Sequence, residues 1–311
     1  MLSRVADTIY WLGRYIERTN GMLQVILTRY ISSQDSAGEF NWGPLLNIYG
    51  ELTEEEKKSI ETNSPKALDY MIFDQSNSAS VFNNIMFSRE NARGIQDHIT
   101  KEVWQCLNDY YHMIRDDNMR KEISHADPIS TIGQLIKSGL LFTGTIDNTM
   151  TRDEGFTFIN IGKFLERTVH SLDITRIKMI EISSNPEDAG NALKLRYLLY
   201  SLYGFEAYLK IFKGNFTTKN ALELILYNPE FPHSVLYSLE RLYKYFSRLR
   251  AESLAESYER MEFLIGKTMN NMKYSNMNES DFITLDSFLF QTSQDLFEIS
   301  ATFSKYYFGN T

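Results

Sequence analysis

The chain has 311 residues, enough for one large domain or two ordinary ones. Hydrophobic residues make up 43% of it and only six prolines interrupt it, a balance that favours long helices. The formal charge is −8, and Lys and Arg are scattered along the chain. The sequence therefore lacks the basic stripe typical of a nucleic-acid-binding surface, and no nucleic acid is expected as a partner.

The cysteine content and the first residues of the chain indicate the cellular compartment in which the protein is expected. A single cysteine, Cys106, excludes an internal disulfide and is typical of a reducing compartment. The start of the chain lacks the cationic segment, apolar run and cleavage site of a signal peptide. No run of about 18 uncharged apolar residues is present to span a membrane. We therefore expect a cytoplasmic protein with no membrane contact.

Helical spacing dominates the first part of the chain. Apolar residues recur every three or four positions from Val5 to Tyr30, which predicts one long amphipathic helix. Farther along, "TEEE" at 53–56 has the pattern of a capping box. The segment "SPKALDYMIF" predicts a helix with Ser64 as its N-cap and a proline in its first turn.

The rest of the chain also predicts helices. A long helix is predicted over 78–117, and Asp127 followed by Pro128 is a typical helix start. Further helices are predicted over 153–182, 187–213, 217–228, 233–250, 253–273 and 281–307. Alternation with a period of two is nearly absent and the connections are short, so the predicted fold is an all-α helical bundle.

One heptapeptide pattern occurs twice. "GRYIERT" occupies 13–19 and "GKFLERT" occupies 162–168, so the two copies lie 149 positions apart. The repeat predicts a bundle built from two pseudo-repeated helical halves, residues 1–150 and 151–311, joined in one continuous domain. We expect the two copies to lie against each other, with Gly13 and Gly162 allowing a close approach.

The charges of the repeated string are expected to be at least half-buried. Glu17 lies at the edge of one apolar stripe, and Arg18 points about 100° away from it. Adjacent residues on a helix cannot easily pair, and a buried unpaired charge costs several kcal/mol, so each needs a partner on another helix. Glu17 and Glu166 are predicted to reach arginines of the other half. The available cations are Arg14, Arg18, Arg89, Arg93, Arg152 and Arg167.

Three stretches resemble the bacterial alpha-E family, a helical domain named for a recurrent Glu-Arg motif. They are "MLSRVADTIYWLGRYIERT" at the start, "SRENARGIQDHITKEVWQCLN" at 88–108 and "TMTRDEGFTFINIGKFLERT" at 149–168. The chain departs from the family pattern at Lys163, where arginine is usual. Genes of this family tend to lie beside those of circularly permuted ATP-grasp proteins and transglutaminase-like proteases. The resemblance therefore implies a component of a peptide-modifying system, and because the sequence has no complete catalytic constellation we expect an accessory component or binding partner of an ATP-grasp or transglutaminase-like protein rather than an enzyme.

An alternative function uses the Glu-Arg cluster itself. Arg89 and Arg93 lie four residues apart on one helical face, where like charges repel unless an anion or a carboxylate lies between them. That pattern indicates either a clamp for phosphate or carboxylate ligands or a structural ion network. An enzyme or ligand-binding protein would use the candidate residues Arg14, Glu17, Arg18, Arg89, Glu90, Arg93, Arg152, Glu166 and Arg167.

Other chemistry finds little support, and no catalytic residue can be assigned. "EISH" at 122–125 and "EFPH" at 230–233 have the Glu-x-x-His spacing of di-metal bundles, but both lie at a helix end or in a loop. His98 and Glu102 form a further weak pair. Cys106 lies in mid-helix, away from the helix N-terminus that activates a thiolate. No metal and no cofactor are therefore expected.

The last predicted helix is dense in Phe and Leu. We expect it to pack onto its own bundle. If its second aromatic face, which includes Phe290, were exposed, that face would be a surface for a homo-oligomer or another partner.

Overall fold

The computed structural model describes residues 1–35, 41–185, 187–188, 190–250, 255–275 and 281–309. Within these residues there are fifteen α-helices and no strand, so the predicted all-α fold is confirmed. No described helix combines the length and apolarity that crossing a membrane requires.

The chain divides into two compact units. The larger unit comprises Met1–Arg14 and Arg152–Thr311, and the smaller unit comprises Tyr15–Thr151. Helix α1 spans Ser3–Asp35, so its first residues belong to the larger unit and the remainder to the smaller. The first copy of the repeated string consequently begins in one unit and ends in the other.

Side-chain capping starts most helices of the smaller unit. After α1 these are α2 (Gly43–Tyr49), α3 (Glu54–Ile60), α4 (Ser64–Ile72), α5 (Val81–Gly94), α6 (Lys101–Ile114), α7 (Asp117–His125) and α8 (Pro128–Thr149). The predicted capping box of Thr53 and Glu56 and the predicted cap at Asp127 are confirmed. The prediction for α4 is wrong by one residue, because the side chain of Asn63 accepts the capping hydrogen bond and Ser64 lies inside the helix.

The long helix predicted over 78–117 is wrong. Helix α5 ends at Gly94, a single 3₁₀ turn spans Gln96–His98, and α6 begins at Lys101. The side chain of Thr100 accepts a hydrogen bond from the backbone N–H of Val103 and so starts a new helix. His98 and Glu102 therefore do not share one helix, and their predicted i, i+4 relation does not form.

The larger unit is organised around one long helix. Its helices after the start of α1 are α9 (Glu154–Ser183), α10 (Asn191–Ser201), α11 (Phe205–Phe212), α12 (Thr218–Leu222), α13 (Val235–Phe246), α14 (Ala255–Tyr274) and α15 (Phe282–Tyr306). Helix α9 packs against α10, α13 and α15, and α14 packs against α13 and α15. Helix α9 therefore supplies side chains to several interfaces at once.

Two predicted helices of the larger unit are divided. The helix predicted over 187–213 ends at Ser201, because Tyr203 adopts a left-handed backbone with φ of 56° before α11 begins at Phe205. The helix predicted over 217–228 is a short α-helix followed by a π-helical turn at Glu223–Tyr227. The predicted start of another helix at 253 lies outside the described residues.

Helix α15 has one buried and one exposed apolar face. Leu285, Leu289, Leu296, Ile299 and Phe303 are buried, which confirms that the helix packs onto its own unit. On the other face Ile283, Phe290 and Phe297 are 83%, 47% and 73% exposed. Packing in the core therefore accounts for only part of the aromatic content of this helix.

Candidate functional site

Gly13 and Gly162 lie at a reciprocal close approach of the first part of α1 and α9. A Cβ atom added at Gly13 would lie 2.2 Å from the carbonyl oxygen of Ile159, and one added at Gly162 would lie 2.1 Å from that of Tyr10. Ile159 and Tyr10 are matching positions, each three residues before a glycine of the repeat. No side chain fits in this space, so the predicted glycine-mediated approach is confirmed.

A buried ion pair lies beside the point where α1 crosses α9. Arg14 Nε donates a hydrogen bond to Glu166 Oε2 over 2.7 Å, and the two side chains are only 11% and 6% exposed. Arg14 Nη1 also donates to Ser300 Oγ over 2.8 Å and to Tyr10 Oη over 3.3 Å. The guanidinium carbon lies 4.8 Å from the ring of Trp11. Three helices, α1, α9 and α15, thus meet at one charged group.

The electrostatics keep this network ionised at Arg14 and neutral at Tyr10. Burial lowers the pKa of Arg14, but the charges and hydrogen bonds of Glu166 and Tyr10 together outweigh burial, and the pKa lies above its ordinary value. Burial raises the pKa of Tyr10, although Arg14 and a hydrogen bond with Ser300 oppose this. The phenol therefore keeps its proton, and the arrangement is a charge pair with neutral polar neighbours.

Asp173 is a second carboxyl group near this pair. It lies seven residues after Glu166 in α9, and burial, followed by the negative charge of Glu166, raises its pKa to about 6. The positive charge of Arg176 opposes the shift, but Arg176 Nε and Nη2 donate hydrogen bonds to the two carboxylate oxygens of Asp286, over 2.6 and 3.1 Å. Sequence reasoning missed Asp173, and the seven-residue spacing from Glu166 was the signal that could have found it.

In the smaller unit, one carboxylate lies between the two stacked arginines. Glu90 contacts Arg89 Nη1 over 3.1 Å and Arg93 Nη1 over 3.4 Å. Arg89 Nε donates to Asn108 Oδ1 over 2.8 Å, and its guanidinium carbon lies 4.6 Å from the ring of Tyr111. The repulsion expected between the two cations is therefore relieved by a residue of the same helix.

The remaining candidate residues are distributed over both units. In the smaller unit, Glu17 is buried and Arg18 is half-buried with its guanidinium carbon 6.0 Å from the Tyr15 ring. In the larger unit, Arg152 is exposed and Arg167 Nη1 donates to the carbonyl oxygen of Pro232 over 3.2 Å. The structure thus brings Arg14 to Glu166, and Arg89 and Arg93 to Glu90.

Two clefts are present away from these residues. In the smaller unit, a cleft of about 670 Å³ is lined by α3, α4 and α7 and contains Arg120, which binds both carboxylate oxygens of Asp69. In the larger unit, a cleft of about 480 Å³ lies between α14 and α15. None of the nine candidate residues lines either of these two clefts.

The part of the chain that the structure describes offers no arrangement suited to metal or thiol chemistry. Among those residues, no three His, Cys, Asp or Glu side chains converge as they would around a metal ion. Cys106 lies in the middle of α6 and is half-buried, and burial raises the pKa of its thiol. A raised pKa disfavours the thiolate that nucleophilic catalysis requires.

Comparison with known proteins adds a family and three relatives. Residues 1–308 match a family model described as a predicted alpha-helical domain with a conserved ER motif. Over 96% of its length the chain is 22% identical to an uncharacterised protein of Mycobacterium bovis, and over the same share it is 22% and 21% identical to uncharacterised proteins of two Mycobacterium tuberculosis strains. The chain spans 35% of the length of these relatives. No solved structure matches it.

Proposed function

The chain belongs to the alpha-E family, and we propose that it is a non-catalytic helical component that binds a partner enzyme of a peptide-modifying system. The partner would be of the ATP-grasp or transglutaminase-like type. The observation that carries this proposal is that Arg14 and Glu166 are buried and bonded to each other. A catalytic acid or base must reach the reacting atoms, and a closed pair inside a helical unit does not.

The length of the relatives supports a binding role. Because the chain spans 35% of their length, the equivalent region of each relative is one part of a much longer polypeptide. In such a polypeptide this helical region has further parts of the same chain as candidate binding partners. A cytoplasmic location is part of the same proposal and is consistent with a single cysteine, Cys106.

We also propose that the chain consists of two pseudo-repeated halves. The repeated string and the matched contacts of Gly13 with Ile159 and of Gly162 with Tyr10 support this. Contacts that exchange equivalent positions are what a two-fold relation between two copies produces.

Co-purification tests the binding role. A tagged chain would be recovered gently from the cytoplasmic fraction of its native organism, and bound proteins would be identified by mass spectrometry. We expect an ATP-grasp or transglutaminase-like protein in an amount comparable to the chain. Reproducible recovery of the chain alone would contradict the proposal.

A second candidate function is an enzyme or an anion- or carboxylate-binding protein that uses the Glu-Arg cluster. The specific observation in its favour is Asp173, whose pKa of about 6 beside Glu166 is a shift typical of functional sites. Calorimetric titration with phosphate and with acetate tests it. Binding that is lost in Arg14→Gln, with the fold intact, would favour this function over the first, because an anion at this site needs the cation that Glu166 now occupies.

Self-association through α15 stays a prediction. Ile283, Phe290 and Phe297 recur every seven residues, so in an antiparallel pair centred on Phe290 the outer two would contact each other's equivalents. Light scattering of the chain and of Phe290→Glu tests it. An unchanged mass in a folded variant would argue against this interface.

A further inference from the structure

Four aromatic rings form a continuous row on α9 and α13 in the larger unit. The ring centroids of Tyr237 and Phe164 lie 6.2 Å apart, those of Phe164 and Tyr245 lie 5.8 Å apart, and those of Tyr245 and Phe156 lie 5.9 Å apart. In each helix the two rings are eight residues apart and so share one face. Phe156 and Phe164 are buried, whereas the two tyrosines are half-buried, so the row is anchored in the core of the unit.

Every ring of this row has at least one cation over it. Arg241 lies 4.8 Å from the Tyr237 centroid, Lys163 and Arg167 both lie 5.3 Å from Phe164, Arg248 lies 5.2 Å from Tyr245 and Arg152 lies 4.0 Å from Phe156. We call these five cations and four rings the basic-aromatic row. The attraction between a cation and a ring face holds each charge in place.

This row carries five cations although the chain as a whole is acidic. Arg241 and Arg248 form no salt bridge with any described residue. The guanidinium of Arg241 lies over the Tyr237 ring, and that of Arg248 lies over the Tyr245 ring. Burial lowers the pKa of His233 well below its ordinary value, and the charges of Arg167, His170 and Lys163 lower it further, so this imidazole adds no positive charge to the row.

We infer that the basic-aromatic row binds an acidic segment of a partner polypeptide, an inference that rests on the proposed function and names the surface that carries it. A ring positions a guanidinium without using its N–H donors. The donors of Arg241 and Arg248 are bonded to no described residue, so they can bind carboxylate oxygens, and a guanidinium binds a carboxylate through two parallel hydrogen bonds.

Charge and ring exposure favour a polypeptide over a single-stranded nucleic acid. Nucleic-acid-binding grooves stack bases on open aromatic faces, but here two of the four rings are buried and all four have a cation over them. The net charge of −8 also repels a long polyanion, whereas a short acidic segment meets mainly the cations of the row. In the longer relatives, other parts of the polypeptide are available as such a partner.

Fluorescence anisotropy with a labelled peptide of alternating glutamate and serine tests the inference on the full chain. We expect binding that weakens as salt is raised, and a loss of about tenfold or more in Arg241→Gln with Arg248→Gln, because two charged contacts are removed. The matched control is Arg115→Gln with Lys137→Gln, two exposed positions outside the candidate Glu-Arg cluster, which removes the same charge from the smaller unit. The control should change the affinity by less than about twofold, since screening limits distant charges.

A second pair of variants separates the rings from the charges. Tyr237→Leu with Tyr245→Leu keeps all five cations but removes the surfaces that hold two of them, so we expect a smaller loss of peptide affinity than in the arginine pair. Thermal melts would show that each variant is folded. Equal peptide binding by the chain and the arginine pair would overturn the inference. Equally tight, row-dependent binding of a thymidine oligonucleotide of matched charge would also overturn it, in favour of general polyanion binding.

Co-purification then distinguishes the two proposals. If the native chain recovers its partner and the Arg241 and Arg248 variant does so equally well, the partner binds elsewhere and only this inference fails. If the native chain recovers no partner but binds the acidic peptide through the row, the proposed function fails while the binding chemistry of the row stands.

Discussion

The Arg14–Glu166 pair of the larger unit and the Arg89, Glu90 and Arg93 group of the smaller unit contain the same residue types in different surroundings. In the first pair Arg14 Nε and Glu166 Oε2 lie 2.7 Å apart, and both side chains are nearly inaccessible to solvent. In the second group Glu90 and Arg93 are 50% and 64% exposed. The carboxylate of Glu90 lies 3.1 Å from Arg89 Nη1 and 3.4 Å from Arg93 Nη1. Exposed ion pairs contribute about 0–1 kcal/mol, whereas breaking a buried pair costs about 3–5 kcal/mol. Burial, rather than the presence of the motif, determines which charges hold this protein together.

The two groups also differ in what brings them together. Arg89, Glu90 and Arg93 are neighbours within about one helical turn, so helix formation alone places them side by side. Arg14 and Glu166 are 152 positions apart and meet because Gly13 and Gly162 let two backbones approach closely. The variants below test this contrast, from the largest expected effect to the smallest.

Breaking the buried pair should have the largest effect. Arg14→Met should lower the free energy of unfolding by about 3–5 kcal/mol, because Glu166 is left as a buried charge without its cation. Adding Glu166→Gln should lose less than the sum of the two single changes, because both remove one interaction. Urea denaturation measures both, with Arg93→Met as the exposed control. Strict additivity would contradict the pairing.

Adding a side chain at the crossing should come next. Gly13→Ala and Gly162→Ala each place a Cβ about 2 Å from a backbone oxygen, which must shift, and overpacking of this kind costs about 1–3 kcal/mol or more. Similar losses at the two positions would support the proposed repeat. Gly133→Ala is the control, because nothing lies within 4 Å of its added Cβ and alanine favours a helix interior by about 0.5–1 kcal/mol. A gain of stability at all three positions would refute the close approach.

Asp173 should make the stability of the protein depend on pH. Its pKa rises from 3.8 to about 6 on folding, so the folded state binds the proton more tightly, and stability is lost as pH rises from about 4 to about 6. Asp173→Asn removes this loss and should stabilise the protein at pH 7 by about 1–2 kcal/mol, with the gain vanishing near pH 4. Melting temperatures across this range measure it. A gain that is constant with pH would show that Asp173 does not titrate there.

The exposed group should give the smallest effect. Glu90→Gln should change the free energy of unfolding by about 0.5 kcal/mol or less, and this difference should disappear at high salt. The loss in Arg14→Met should persist at the same salt concentration, because buried pairs are screened much less. If Glu90→Gln lowered the free energy of unfolding by more than about 2 kcal/mol at every salt concentration, the contrast between the buried and the exposed group would be wrong.

Features encoded within a few residues could be predicted from the sequence. The all-α fold follows from helical periodicity, and the caps at Thr53 and Asp127 follow from side chains that bond backbone groups three residues away. Where two local signals competed, the prediction was wrong. Asn63 and Ser64 are both good N-caps, and the backbone selected the first.

Tertiary structure decided the rest of the candidate site. Six arginines were available to the glutamates of the repeat, and nothing in the sequence distinguished Arg14, which lies against Glu166 because of the angle and distance at which α1 crosses α9. Ser300, which completes the network, is 286 positions from Arg14, and only the packing of α15 on α9 brings it there. The helices are stabilised by hydrogen bonds between near neighbours, which periodicity reveals, whereas pairs of distant side chains depend on how every helix of the unit packs at once.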